Sequence, residues 1–135
     1  MTTVAFIGLG NMGSGMAANQ AKAGRQVLAF DLSPDAVARA VENGCEAATS
    51  AADAISRADI VLTMLPAGKH VCGLYEAEVL PNAKSGALLI DCSTIDVESA
   101  KKVANMCQEA GFNSADAPVS GGTAAADAGT LAFMV

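Results

Sequence analysis

Three glycines at fixed spacing, followed about 20 positions later by an acidic residue, are the residues best placed for chemistry. Gly8-Leu9-Gly10-Asn11-Met12-Gly13 directly follows the apolar run Val4-Ala5-Phe6-Ile7 and opens a stretch of helix-forming residues. In that setting each glycine has a mechanical reason. Gly8 permits a tight turn out of the strand, Gly10 lets the backbone approach a pyrophosphate, and Gly13 allows the helix to lie close on the strand. Leu9, Asn11 and Met12 complete a loop whose N–H groups, with the positive end of the helix dipole, suit phosphate. Asp31 stands at the end of the second apolar run, Val27 to Phe30. A carboxylate there accepts hydrogen bonds from ribose hydroxyls and repels a 2′-phosphate. No arginine follows closely in Asp31-Leu32-Ser33-Pro34, which selects NAD over NADP. Read alone, the glycines are turn punctuation and Asp31 a turn residue; the strand–loop–helix context separates the two readings.

The remaining elements are those that would position such a loop. Met12 to Ala23 reads as a small-residue helix ending at Gly24, and Ser33-Pro34 opens a helix through about Glu42 that stops at Gly44. Ser50-Ala51-Ala52-Asp53 resembles a capping box before a short helix to Arg57. Ile60 to Met64, Ala87 to Ile90 and Phe112 to Asp116 read as strands, and Asp96 to Ala110 as a helix stopped by Gly111. Leu131 to Val135 is a last apolar run. The alternation predicts an α/β Rossmann-type domain, doubly wound around a mostly parallel sheet with helices on both faces. One domain spans 1–135, and the chain is expected to be the front part of a longer protein.

Composition narrows the partners. The 135 residues are 52% hydrophobic and 16% charged, with a net charge of −6 and no basic run. Nucleic acid and anionic membrane surfaces are therefore poor partners. No apolar stretch is long enough to span a bilayer, and Met1-Thr2-Thr3-Val4 has no basic leader region. Cys45, Cys72, Cys92 and Cys107 match no metal-ligand spacing and read as reduced, mostly buried residues of a cytoplasmic protein. No metal is expected.

Further segments carry a family resemblance. Phe6 to Gly13 with Met16-Ala17-Ala18-Asn19, then Thr63-Met64-Leu65-Pro66, Leu89 to Asp96, Asp116 to Gly122 and Ala128 to Val135 together resemble the β-hydroxyacid dehydrogenase family, in order and across the whole chain. Asp91-Cys92-Ser93-Thr94-Ile95-Asp96 and Met64-Leu65-Pro66-Ala67-Gly68 are most similar to its 3-hydroxyisobutyrate-type members of valine catabolism.

The resemblance implies an NAD-dependent oxidation of a small β-hydroxy acid, 3-hydroxyisobutyrate to methylmalonate semialdehyde. It implies that Leu65 and Pro66 contact the cofactor and that Thr94 meets its nicotinamide side. Ser93 and Thr94 also read as helix-capping hydroxyls. Ser120, Gly121 and Gly122 resemble the substrate-carboxylate clamp, where a hydroxyl and two glycines can form an anion nest; a plain turn after Pro118 is the alternative. No catalytic residue falls within the chain, because the family's acid/base lysine lies beyond Val135, as does the helical domain that builds a dimer or tetramer. Lys101 and Lys102 read as a solvated face. His70, the sole histidine, reads as a solvated loop residue. Two other readings stay open: a semialdehyde reductase of the same family, acting on tartronate, glyoxylate or succinic semialdehyde, and a stand-alone NAD-binding sensor.

Overall fold

The computed structural model describes residues 2–93, 95–116, 119–120 and 132–133. Strand β1 (Thr3–Ile7) is buried from Val4 onward, as expected of a run covered on both faces. The chain turns through Gly8, at φ +99°, into α1 (Asn11–Lys22). Then come β2 (Gln26–Phe30) and α2 (Pro34–Glu42), where Ser33 Oγ accepts from the Ala36 N–H and Pro34 fills the first turn. After Gly44, the chain adds an edge strand β3 (Glu46–Ala47). Helix α3 (Ala51–Arg57) is capped by Ser50 Oγ, 3.0 Å from the Asp53 nitrogen. The expected capping box is modified: Asp53 reaches back to the Thr49 N–H at 3.4 Å.

Strand β4 (Ile60–Thr63) leads into a helical region that the local sequence pattern does not signal. It comprises α4 (Gly68–Leu74), a π-helical stretch Tyr75–Val79 and a final turn α5 (Leu80–Asn82). His70 therefore lies on a helix, not in a loop, although it is exposed as expected. Gly68, Gly73 and Pro81 punctuate the segment and hide its helical spacing of Val71, Tyr75 and Val79. Pro81 has no N–H for the carbonyl four residues earlier, which accounts for the widened turn before it.

Strand β5 (Leu88–Asp91), helix α6 (Val97–Glu109) and strand β6 (Asn113–Asp116) complete a six-stranded sheet of order β3-β2-β1-β4-β5-β6. Every pairing in it is parallel. A separate antiparallel pair joins β7 (Val119–Ser120) to β8 (Ala132–Phe133).

The two faces bury different sets, following the two-residue period of the strands. Ala5, Ile7, Leu28, Val61 and Leu89 meet Ile55, Val71, Tyr75, Val79 and Val103 on one face. Phe6, Val27 and Ala29 meet Met16, Ala17, Ala36 and Ala40 on the other. Each large apolar side chain so covered contributes roughly 1.5–3 kcal/mol, so the sandwich holds the carboxyl ends of β1, β2, β4 and β5 in fixed order. No helix among the described residues is long and apolar enough to cross a membrane.

Candidate functional site

The strand order places a topological switch between β1 and β4, the position where open α/β sheets bind ligands. A cleft of about 310 Å³ opens there, lined by Gly8, Gly10, Gly13, Asp31, Met64, Leu65 and Pro66. The structure thus brings together residues that follow three different strands. Met64 is the addition that sequence reading missed.

The three glycines differ in what demands them. A Cβ on Gly8 would fall on the Met64 carbonyl oxygen and lie 3.1 Å from Leu65 Cδ2, with φ at +99°. A Cβ on Gly13 would fall on the Gly8 carbonyl and 3.4 Å from Phe6 Cε1. Both glycines are therefore required by the protein's own packing. A Cβ on Gly10 would meet no atom of the described residues within 4 Å, and its φ of −67° suits any residue. Nothing among the described residues calls for glycine there, and the open space is what a dinucleotide crossing the loop would need. Gly10 is also the N-cap of α1 and supplies no side-chain acceptor. The first-turn N–H groups are thereby left without a cap, which is what an anion at a helix start requires. The open space at Gly10 and the uncapped helix fit a dinucleotide pyrophosphate.

Asp31 is half-buried and fastens the loop. Its Oδ2 accepts from the Leu9 N–H at 2.7 Å and its Oδ1 from the Ser33 N–H at 2.8 Å. Each carboxylate oxygen retains a lone pair for a further donor. The carboxylate thus has a structural task in addition to the one expected from spacing.

A second hydrogen-bonded unit lies on the β4–β5 side. The Leu65 N–H donates to Ser93 Oγ at 2.7 Å, the Ser93 N–H to Asp91 Oδ1 at 3.2 Å, and the Thr63 hydroxyl to Asp91 Oδ1 at 2.9 Å. Thr63, Asp91 and Ser93 are the buried polar residues among those described. Tyr75 lies against this cluster; burial, and then the Asp91 charge, push its hydroxyl well above the usual tyrosine range. The expectation that Ser93 caps the following helix is corrected. Asp96 caps α6, accepting from the Ser99 N–H at 3.0 Å, while Ser93 turns back to the β4 loop. A small cleft of about 70 Å³ beside Tyr75 and Asp91 is lined by α6 and β6 residues.

Ser120 lies in β7, and Thr94, Gly121 and Gly122 fall outside the described residues. Asn11 and Met12 occupy the first turn of α1. Lys101 and Lys102 are exposed on α6. None of the four cysteines is in a disulfide; Cys45, Cys92 and Cys107 are buried and Cys72 half-buried. Burial raises the Cys45 and Cys107 thiols above their ordinary range.

Comparison with known proteins agrees with this geometry. The chain is 51% identical to the 3-hydroxyisobutyrate dehydrogenase of Pseudomonas aeruginosa, covering all of this chain and 46% of that protein. It is 50% identical to the NAD-dependent L-serine dehydrogenase of the same organism, with the same coverage. Among solved structures, the Mycobacterium tuberculosis 3-hydroxyisobutyrate dehydrogenase with L-serine superposes with a TM-score of 0.96 at 46% identity, over 99% of this chain and 46% of that one. The chain thus spans about half the length of these relatives. Residues 3–135 match the NAD binding domain of 6-phosphogluconate dehydrogenase, and the chain belongs to that NAD-binding family, with the expected resemblance to 3-hydroxyisobutyrate-type β-hydroxyacid dehydrogenases borne out.

Proposed function

We propose that this chain is the cofactor half of an NAD-dependent dehydrogenase acting on short β-hydroxy acids with a primary hydroxyl, 3-hydroxyisobutyrate foremost. The observation carrying this reading is the cleft at the β1–β4 switch, with Gly10 open to solvent and Asp31 at its rim. In this reading Gly8 to Gly13 hold the pyrophosphate, Asp31 the adenosine ribose, and Leu65, Pro66 and Thr94 the nicotinamide side. NAD, when bound, supplies a hydride acceptor. Ser120, Gly121 and Gly122 would clamp the substrate carboxylate, and proton transfer would fall to a lysine beyond Val135. Four cysteines outside any disulfide favour a reducing compartment, the cytoplasm, and the whole enzyme is proposed to be a dimer or tetramer.

L-serine is the second substrate supported by a specific observation, since one relative is named for it and one solved relative is described with it. The two acids share a carboxylate and a β-CH₂OH and differ in a methyl against an ammonium group. Shared recognition would therefore rest on the carboxylate clamp, and discrimination on what faces the α-substituent.

Calorimetric titration of the chain with NAD tests the cofactor reading; saturable one-site binding is expected, and absence of heat at millimolar NAD would overturn it. NADH formation by the whole enzyme with 3-hydroxyisobutyrate and with L-serine tests the substrate class, and failure with both would remove it.

A further inference from the structure

The hydrogen bonds around Ser93 lie one step beyond the sheet. The parallel ladder between β4 and β5 runs through the pair Thr63–Asp91 and closes with the Cys92 N–H on the Thr63 carbonyl at 2.8 Å. On the β1 side the Met64 N–H reaches the Ile7 carbonyl at 2.9 Å. The next residues, Leu65 and Ser93, belong to no ladder. What joins them is a side chain: Ser93 Oγ takes the Leu65 N–H at 2.7 Å. The Ser93 backbone is in turn held by Asp91 Oδ1, which also receives the Thr63 hydroxyl. Ser93 is 1% exposed, so this bond competes little with water. Helix α6 does not need it, because Asp96 is its cap.

Leu65 is where this bond reaches the cleft. Its Cδ2 lies 3.1 Å from the place a Gly8 Cβ would occupy, so its side chain borders the glycine loop. With Pro66 it forms the cleft wall on the β4 side. Along the sheet edge the order is Asp31 after β2, the glycine loop after β1, Leu65 and Pro66 after β4, and Ser93 after β5. A dinucleotide with one ribose at Asp31 and its pyrophosphate on the glycine loop places its second nucleoside over Leu65 and Pro66.

We infer that Ser93 is a positioning residue for the nicotinamide half of the cofactor: oriented by Asp91, its hydroxyl oxygen fixes the Leu65 peptide and so sets the wall on which the second nucleoside rests. The inference rests on the cleft being the dinucleotide site. Removing the oxygen frees the Leu65 N–H and lets the Leu65-Pro66 segment rotate, leaving the Asp31 and glycine-loop half untouched.

The test compares NAD with ADP, which reaches only the β2–β1 half, by calorimetry on the 135-residue chain and its variants. Ser93→Ala is expected to weaken NAD about tenfold, the worth of one net hydrogen bond, and to leave ADP within about twofold. Ser93→Cys, which keeps the volume but is a weak acceptor, should behave as Ser93→Ala does. Ser93→Thr, which retains the hydroxyl, should restore the NAD-to-ADP ratio. A merely structural role would weaken NAD and ADP together and lower the urea midpoint; that result, or an unchanged ratio in Ser93→Ala, overturns the inference. A wild-type chain that binds ADP and NAD equally also overturns it. Binding of neither by the wild type overturns the dinucleotide reading itself.

Discussion

Replacing Asp31 by asparagine separates its two tasks. The carboxylate holds the Leu9 and Ser33 N–H groups at 2.7 and 2.8 Å. Asparagine keeps one acceptor oxygen and turns an NH₂ toward the other donor, which costs about 1.5–3 kcal/mol for a lost bond to a charged group. A bound ribose loses a charged acceptor as well, so NAD should weaken by at least about tenfold, each decade being about 1.4 kcal/mol. NADP responds differently. A 2′-phosphate within about 4 Å of the Asp31 charge is opposed by roughly 1–4 kcal/mol per unit charge between bulk-water and surface-like dielectric. The wild-type chain should therefore prefer NAD by about one to three decades, and Asp31→Asn should bring the two cofactors within about one decade. The assay is calorimetric titration of both proteins with both cofactors, with urea unfolding as the check on the loop. High salt should narrow the wild-type gap by screening. Equal wild-type affinities, or an unchanged ratio in Asp31→Asn, would refute the assignment; equal weakening of both cofactors would leave Asp31 as a loop fastener alone.

Gly10→Val and Gly8→Ala should fail in opposite ways. The Cβ of the first meets no atom of the described residues within 4 Å, so that variant should keep the wild-type urea midpoint while losing NAD; the second, at φ +99° and against the Met64 carbonyl, should cost about 1–3 kcal/mol of stability. Normal NAD binding by Gly10→Val would refute the cradle. Tyr75 is the sole tyrosine, and its folded value is raised by burial and the Asp91 charge. Above about pH 10 the unfolded chain releases a proton that the folded chain keeps, so stability should fall as pH rises, by at most about 1.4 kcal/mol per unit from this group. Tyrosinate absorbance should therefore rise together with the loss of circular dichroism; ionisation in the ordinary range with the fold intact would contradict the burial.

The strand and helix alternation, the glycine loop and Asp31 were legible in the sequence because each is a local pattern. Apolar runs mark strands, Ser33-Pro34 marks a helix start, and the glycine spacing follows from the backbone of a single turn. The segment from Gly68 to Asn82 was not legible as helix, since its glycines and Pro81 break the local signal, and burial of Val71, Tyr75 and Val79 against the sheet outweighs that weak propensity. The roles of Ser93 and Asp31 depended on contacts between distant positions. Ser93 lies 28 residues from the Leu65 N–H it accepts, and Asp31 lies 22 from that of Leu9. Sequence determined which residues could bind a dinucleotide; tertiary structure decided which glycines the protein's own packing requires and which one it leaves open, and which polar side chains join the loops. Spacing along one element is set by its own geometry, whereas a hydrogen bond between loops exists only once the sheet has put their strands side by side.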